Sequence, residues 1–103
     1  MNINLAVIRG TIINDAIVRA LPAGTDVAQF DVSTSIESRG RTVNASVPVA
    51  LHQPSGAVLA TLVSGADVAV VGRVERRFFR SGGITQSRTE LIAERVVPAR
   101  RTQ

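Results

Sequence analysis

The segment from residue 27 to residue 36 alternates between two sets of side chains, and this pattern constrains the fold more than any other feature of the chain. One set is Ala28, Phe30, Val32, Thr34 and Ile36, and the other is Val27, Gln29, Asp31, Ser33 and Ser35. Successive side chains of a β-strand point to opposite faces of the sheet, so a period of two predicts a strand that is buried on one face. Phe30 belongs to the apolar set, and we therefore expect it in the core.

Four other segments have the β-branched composition of strands, and turn signals separate them. They are residues 3–13 continued by residues 16–20, then residues 42–51, 67–80 and 84–97. Gly10 and Gly72 interrupt two of these strands and predict β-bulges that bend them. Pro48 lacks an amide donor and predicts an edge or a bulge. The helical candidate, of about two turns, begins near Pro54 and ends at Ser64-Gly65.

Five strands with one short helix between the third and the fourth is the order of an OB-fold barrel, and long bent strands are what the closure of a small barrel requires. We therefore predict an all-β, five-stranded OB-fold domain over residues 1–98. Residues 99–103 are predicted to form a basic end that is frayed. The chain has 103 residues, which is the size of one domain.

The amino-acid composition limits the kinds of core and of functional site that the chain can form. Three phenylalanines and no tryptophan or tyrosine leave a core of valine, isoleucine, leucine and alanine, and the absence of cysteine excludes disulfides and thiolate sites. The one histidine, His52, is expected to be exposed, and Glu90 and Glu94 are expected to be solvated. No phosphate-binding loop or metal-ligand spacing is present. We predict a binding protein without enzymatic activity, cofactor or metal, located in the cytoplasm with the nucleoid, since the sequence has no secretion signal or membrane span.

The positive charges are twelve arginines with no lysine. Residues 72–103 carry eight arginines and three glutamates, a formal charge of +5, whereas residues 1–71 carry four arginines and five acidic residues, a formal charge of −1. Guanidinium groups form paired hydrogen bonds to phosphate and stack on rings, so a one-sided arginine field favours a nucleic acid as partner. A surface that merely reflects arginine-rich codon usage is the alternative.

The segment from Arg73 to Arg80 concentrates this chemistry beside a hairpin turn at Ser81-Gly82-Gly83. In a strand, one face carries Arg73, Glu75, Arg77 and Phe79, and the other carries Val74, Arg76, Phe78 and Arg80. Either face offers a ring flanked by arginines, which can stack on a base while contacting its phosphates. Of the two rings, Phe79 is the one we expect to face the ligand.

Seven sequence blocks, in this order and spacing, resemble the bacterial single-stranded DNA-binding protein family. They are residues 4–10, 15–19, 22–25, 27–30 together with 33–35, 62–68, 71–79 and 88–93. The resemblance implies an OB-fold subunit that forms a homotetramer or homodimer and wraps single-stranded DNA without sequence preference in replication, recombination and repair. It also implies that Arg19, Arg73, Arg77 and Phe79 contact DNA, and that Asn4 and Gly10 are structural.

The chain departs from the family pattern where aromatic residues are usual. Ser38, Ala45 and Leu51 replace rings, and Ser46 replaces a histidine. Its basic end also differs from the long tail with an acidic tip that family members use to recruit partners, so such recruitment is not expected. Because few rings remain, we predict weak, salt-sensitive binding unless several subunits act on one strand.

The predicted nucleic-acid site combines the basic hairpin with arginines from the first strand and from the loop after the second. Its residues are Arg19, Arg39, Arg41, Arg73, Arg76, Arg77, Phe79, Arg80 and Arg88. For Arg39 and Arg41 a purely solvated role is an equal alternative. RNA in place of DNA stays open, because stacking and phosphate contacts serve both. The alternative function is a primosome-like or accessory OB-fold subunit that binds proteins, with weak or no DNA binding.

Overall fold

A computed structural model describes residues 1–99, so the predicted basic end lies outside the described residues from Arg100 onward. The strands are β1 (Ala6–Ile12), β2 (Ile17–Ala20), β3 (Asp26–Ser38), β4 (Arg41–His52), β5 (Asp67–Ser81) and β6 (Ile84–Pro98). One helix, α1 (Gly56–Leu59), lies between β4 and β5. β1 and β2 are the two halves of the predicted first strand, and the turn at Asn14-Asp15 separates them.

The strands close into a barrel. The sheet order is β1-β5-β6-β4-β3-β2, and β1 also pairs with β3, which joins the two sides. All pairings are antiparallel except the one between β4 and β6, where residues 49–51 pair in parallel with residues 91–93. Counting β1 and β2 as one bent strand, this is the predicted five-stranded OB-fold with a short helix after its third strand, and the prediction is confirmed.

The barrel interior is filled with branched aliphatic side chains. Its most deeply buried members are Ile12, Val32, Val49, Leu62, Val68 and Val70. Phe30 joins this cluster at 4% exposure, as its place in the alternating pattern predicts. Leu62 follows α1, so the segment after the helix contributes to the core although α1 itself buries no residue.

The helix is one turn long rather than the predicted two. Ser55 caps its start, because the Ser55 hydroxyl accepts a hydrogen bond from the amide of Val58. After Leu59 the backbone tightens: Thr61 N–H donates to the carbonyl of Val58, and Leu62 N–H donates to that of Leu59. These hydrogen bonds join residues that are three apart instead of four. The α-helix therefore ends at Leu59, although apolar residues continue beyond it at helical spacing.

Gly72 and Gly10 both allow a close backbone approach, but only Gly72 lies at a bulge. The register between β5 and β6 shifts beside Gly72, because Val71 pairs with Arg95 while Gly72 pairs with Ala93. A Cβ on Gly72 would lie 2.0 Å from the carbonyl oxygen of Ile92. The pairing of β1 with β5 runs through Gly10 without a shift, and a Cβ there would lie 2.1 Å from the carbonyl oxygen of Ser33. The predicted bulge at Gly10 is therefore wrong. Gly10 instead allows the close backbone contact with which β1, already paired with β5, also pairs with β3.

Two hairpins extend beyond the barrel. β3 pairs with β1 at residues 32 and 33, and β4 pairs with β6 only over residues 49–51, so residues 34–45 form a two-stranded β3–β4 ribbon. Pro48 lies next to this free stretch of β4, in agreement with the predicted edge position. The pairing of β1 with β5 ends at Gly72, so residues 73–90 form a second, β5–β6 ribbon. At its base the Asn4 side chain makes two hydrogen bonds with the backbone of Val74, of 2.7 and 2.9 Å.

Candidate nucleic-acid interface

The β5–β6 ribbon has two faces of different composition. The face that we call the front face carries Arg73, Glu75, Arg77 and Phe79 from β5 and Gln86, Arg88, Glu90 and Ile92 from β6. The back face carries Val74, Arg76, Phe78 and Arg80 with Thr85, Ser87, Thr89 and Leu91. The front face continues over the outside of the barrel onto β3, β4 and β2, because Arg77 and Glu90 line a cavity with side chains of β3 and β4.

On the front face, the residues that pair across the two strands form successive rungs. Glu75 is opposite Glu90, Arg77 is opposite Arg88, and Phe79 is opposite Gln86. Of these three rungs the acidic one is nearest the barrel, the basic one follows it, and the aromatic one is nearest the hairpin turn, while Arg73 and Ile92 form the rung before the acidic one. Like charges directly opposite each other destabilise a sheet, so this order calls for compensating contacts.

Arg77 connects the three rungs. Its Nε lies 3.3 Å from Oε1 of Glu90, and its guanidinium carbon lies 5.6 Å from the centroid of the Phe79 ring. The second contact is within the range of a cation–π interaction. The Arg77 side chain is half exposed, and Phe79 keeps 36% of its surface open. A guanidinium and a ring are thus side by side and accessible.

Arg88 connects the ribbon to the barrel wall. Its Nη2 lies 3.8 Å from Oδ1 of Asp31 on β3, and its Nε lies 3.8 Å from Oε2 of Glu90. The Arg88 side chain is 44% exposed, so its remaining donors face solvent. Glu90 therefore holds arginines from both strands of the ribbon, on opposite sides of one carboxylate.

Glu90 is the site residue that sequence reasoning misses. The sequence predicts that it is solvated together with Glu94, but Glu90 is 4% exposed and its Oε2 accepts no hydrogen bond within the described residues. Glu94 is exposed and is the extra residue of the bulge opposite Gly72. The expectation of a solvated pair is wrong for Glu90 because Arg77 and Arg88 lie over it and Ile92 follows it on the same face.

A cavity of about 160 Å³ lies beside Glu90. Its floor is apolar and consists of Val27, Ala50 and Ile92, which pack together as a small cluster outside the barrel core. Its polar wall consists of Gln29, His52, Glu75, Arg77 and Glu90. His52 is the last residue of β4 and stays exposed, as expected, at the rim of this cavity.

Arg19 reaches the same face from β2. Its Nε donates a hydrogen bond of 2.7 Å to Oε1 of Gln29. A second cavity of about 150 Å³ is lined by Arg19, Gln29, Asp31 and Arg88 among others. Because Gln29 lines both cavities, Arg19 and the ribbon arginines belong to one continuous surface.

The other predicted site residues do not all join this surface. Arg73 is on the front face and pairs with Glu75 at 3.3 Å. Arg76 and Arg80 are on the back face, where Nη2 of Arg80 donates to the carbonyl of Gly83 at 3.0 Å. Arg39 and Arg41 lie at the turn of the β3–β4 ribbon, where Arg39 has a φ of 53°. The structure thus brings together Arg19, Arg73, Arg77, Phe79 and Arg88.

Within residues 1–99, no three histidine, cysteine, aspartate or glutamate side chains are grouped so that they could hold a metal ion. No helix in the same range has the length and apolar character needed to cross a membrane.

Comparisons with known proteins concern the family and the fold of the chain. A sequence model described as the single-strand binding protein family matches residues 3–98. No curated protein matches the chain. Among solved structures, a Plasmodium falciparum SSB in complex with single-stranded DNA superimposes with a TM-score of 0.76 at 19% identity, over 90% of this chain and 88% of that one. At this identity, the structural likeness concerns the fold.

Proposed function

Because the chain belongs to the single-strand binding protein family, we propose that its front face binds single-stranded DNA without sequence preference. The family match confirms the predicted class of protein, and the contacts are our proposal. Arg77, Arg88 and Arg19 would contact phosphates, and Phe79 would stack on a base. The observation that carries this assignment is the register of the β5–β6 ribbon, which puts Arg77 opposite Arg88 and next to Phe79.

The binding is expected to depend mainly on charge. A stacked base contributes about 1–3 kcal/mol, and Phe79 is the one phenylalanine on the front face. The arginines must therefore supply much of the attraction, and that part is screened by salt. In this proposal, Arg73 adds a weaker contact, while Arg76, Arg80, Arg39 and Arg41 contribute to the positive field that attracts the strand from a distance.

We also propose that the chain acts as a homo-oligomer, a dimer or a tetramer. Ile3, Leu5 and Val7 lie at the start of the chain with exposures of 83%, 69% and 63%. Such a run of exposed apolar side chains is a surface that association would cover. Light scattering with and without oligothymidine measures the mass, and a monomer under both conditions would contradict the proposal. Several subunits that engage one strand together would bind it more tightly than each subunit does alone.

The remaining parts of the proposal are the domain bounds, the cellular role and the location of the protein. We place the DNA-binding domain at residues 1–98, followed by a basic end, and we assign the protein a non-enzymatic role in replication, recombination or repair near the nucleoid. The cavity by Glu90 has an apolar floor, and its polar wall includes no metal-binding group of residues within the described chain. Incubating single-stranded DNA with the protein and Mg²⁺ should leave the strand intact on a denaturing gel.

The central test is fluorescence anisotropy with a labelled oligothymidine of about 16 nucleotides, at low salt. The front-face variant, Arg77→Ala combined with Phe79→Ala, should lose about 100-fold or more in affinity, since it removes both a stack and a phosphate contact. The matched control is Arg76→Ala combined with Phe78→Ala, which makes the same chemical change on the back face. It should retain most of the binding.

The outcomes separate the two candidate functions. Equal losses in the two variants would show that the front face is not the working surface. If the unaltered protein formed no complex with oligothymidine at low salt, the accessory, protein-binding function would be favoured instead. Repeating the titration with an oligouridine distinguishes DNA from RNA as the preferred strand.

A further inference from the structure

A buried negative charge lies in the middle of the surface that we assign to a polyanion. Glu90 is the one charged side chain that is buried within residues 1–99, at 4% exposure. Its Oε1 contacts Arg77, but its Oε2 has no hydrogen bond and is 3.8 Å from Arg88. A buried carboxylate with an unsatisfied oxygen is costly, so its presence here calls for a functional explanation.

A second carboxylate reinforces the first. Glu75 is directly opposite Glu90 on the front face, and both line the cavity of about 160 Å³. Two like charges opposite each other weaken the pairing of the strands. Their arginine partners are not between them, since Arg73 pairs with Glu75 and Arg77 pairs with Glu90 from the neighbouring rungs. The inner end of the front face therefore carries two carboxylates and one arginine, whereas the next rung outward carries the two arginines Arg77 and Arg88.

This order of charges favours different positions on the front face for the phosphate and for the base of a nucleotide. A phosphate placed at the acidic rung would come close to two carboxylates, and such proximity of like charges is unfavourable. It is favoured one rung further out, between Arg77 and Arg88. A base carries no charge, and the cavity beside Glu90 gives it an apolar floor of Val27, Ala50 and Ile92. The front face thus accepts a strand only with bases turned inward and phosphates turned outward.

We propose that Glu90, assisted by Glu75, is a specificity-determining residue that rejects double-stranded DNA. The inference rests on the proposed function of the front face. A duplex keeps its bases paired inside and presents phosphates to any groove that it enters, so it would bring phosphates to the acidic rung, where Glu75 is exposed and Glu90 lies beneath its arginine partners. A single strand can turn a base into the cavity and keep its phosphates at the basic rung. Rejection by a built-in repulsion is a general route to selectivity.

The test compares one charge-removing variant with a matched control on the same strand. Glu90→Gln keeps the size of the side chain and removes the charge. Glu94→Gln makes the identical change on β6 at an exposed position of the bulge. Anisotropy titrations measure the dissociation constants for an oligothymidine and for a blunt duplex of equal length, at one low salt concentration, and give the ratio of the two.

For Glu90→Gln we expect the ratio of duplex affinity to oligothymidine affinity to rise about tenfold or more. Glu94→Gln should leave the ratio within about twofold of the unaltered protein. The proposal is overturned if Glu90→Gln leaves the ratio unchanged, or if it strengthens both complexes by the same factor, since that would be a simple effect of net charge.

Two further measurements keep the result decisive. Circular dichroism melting shows whether Glu90→Gln is folded, and this is expected because both of its arginine partners are about half exposed and can be solvated. Glu75→Gln, at a side chain that is 53% exposed, should shift the ratio in the same direction by a smaller factor, and no shift would count against the proposal. If the unaltered protein fails to bind oligothymidine at all, the proposed function itself fails, which is a distinguishable outcome.

Discussion

Arg77 and Arg88 are directly opposite each other on neighbouring strands, and both contact the carboxylate of Glu90. Two guanidinium groups at this spacing repel each other, and the shared carboxylate offsets the repulsion. Because both arginines remain about half exposed, they are oriented without being removed from solvent. A pair of cations that is already fixed loses less side-chain entropy when a phosphate binds between them.

The affinity for single-stranded DNA should fall steeply with salt. If one subunit neutralises about four phosphates, the slope of log K against log salt concentration is about −3, from about −0.7 per phosphate. An increase from about 50 to 200 mM salt should then weaken binding about fifty-fold per engaged subunit. Anisotropy titrations at several salt concentrations measure this slope. Tight binding with a slope near zero would contradict the assigned role of the arginines.

The three phenylalanines should respond differently to the same substitution. Phe30→Ala should lower the free energy of unfolding by about 3–5 kcal/mol, because the ring is buried in the barrel. Phe78 is 66% exposed on the back face, so Phe78→Ala should change stability by less than about 0.5 kcal/mol. Phe79→Ala should weaken oligothymidine binding by about 1–3 kcal/mol. Urea denaturation and anisotropy measure these effects, and loss of binding on changing Phe78 alone would reverse the assignment of the faces.

The two glycines that allow close backbone contact should not tolerate a methyl group. Gly72→Ala and Gly10→Ala would each bring a Cβ to about 2 Å from a carbonyl oxygen of a neighbouring strand, and should destabilise the barrel by about 1–3 kcal/mol or more. Gly56→Ala is the control, because no atom lies within 4 Å of a Cβ there. It should be neutral or stabilising by up to about 1 kcal/mol. Thermal unfolding followed by circular dichroism ranks the three variants, and equal stabilities would refute the close-contact argument.

Replacing Asn4 with aspartate should lower the free energy of unfolding more than the same substitution at another exposed asparagine does. Its side-chain amide donates to the carbonyl of Val74 and accepts from the amide of the same residue. Asn4→Asp removes the donor and sets a carboxylate oxygen against the Val74 carbonyl, which should cost about 1–2 kcal/mol of unfolding free energy. Asn44→Asp, at an exposed position of β4, should cost less than about 0.5 kcal/mol. Urea denaturation of both variants checks the difference, and similar costs would argue against a structural role for Asn4.

Much of the fold can be predicted from local patterns. The period of two in residues 27–36 identifies β3 and the burial of Phe30, and the order of strands and helix identifies the barrel. Gly72 marks a real bulge, whereas Gly10 marks a close crossing of strands. The difference arises because a glycine signals a position that a side chain cannot occupy, and only the tertiary neighbour determines the reason. The sequence overestimates the length of α1 because apolar spacing continues through a tighter turn.

The site is harder to predict, although the hairpin turn carries one usable signal. The turn at Ser81-Gly82-Gly83 has two glycines with positive φ, 59° and 79°, which is a two-residue hairpin loop that fixes the register of its strands. A count outward from that loop along the sequence puts Arg77 opposite Arg88 and Glu75 opposite Glu90. The burial of Glu90 does not follow from such a count, since it depends on how the front face curves over Val27 and Ala50.

The short parallel pairing between β4 and β6 lies between the part of the molecule that forms the core and the hairpins that extend from it. Three residue pairs link these two strands, and residues 34–45 and 75–89 of the hairpins contribute no buried side chain to the core. Lengthening, shortening or exchanging a hairpin tip therefore leaves the core side chains and the strand pairings of the barrel unchanged. Substitutions at the tips therefore change the surface that the hairpins present to solvent without removing a side chain from the core.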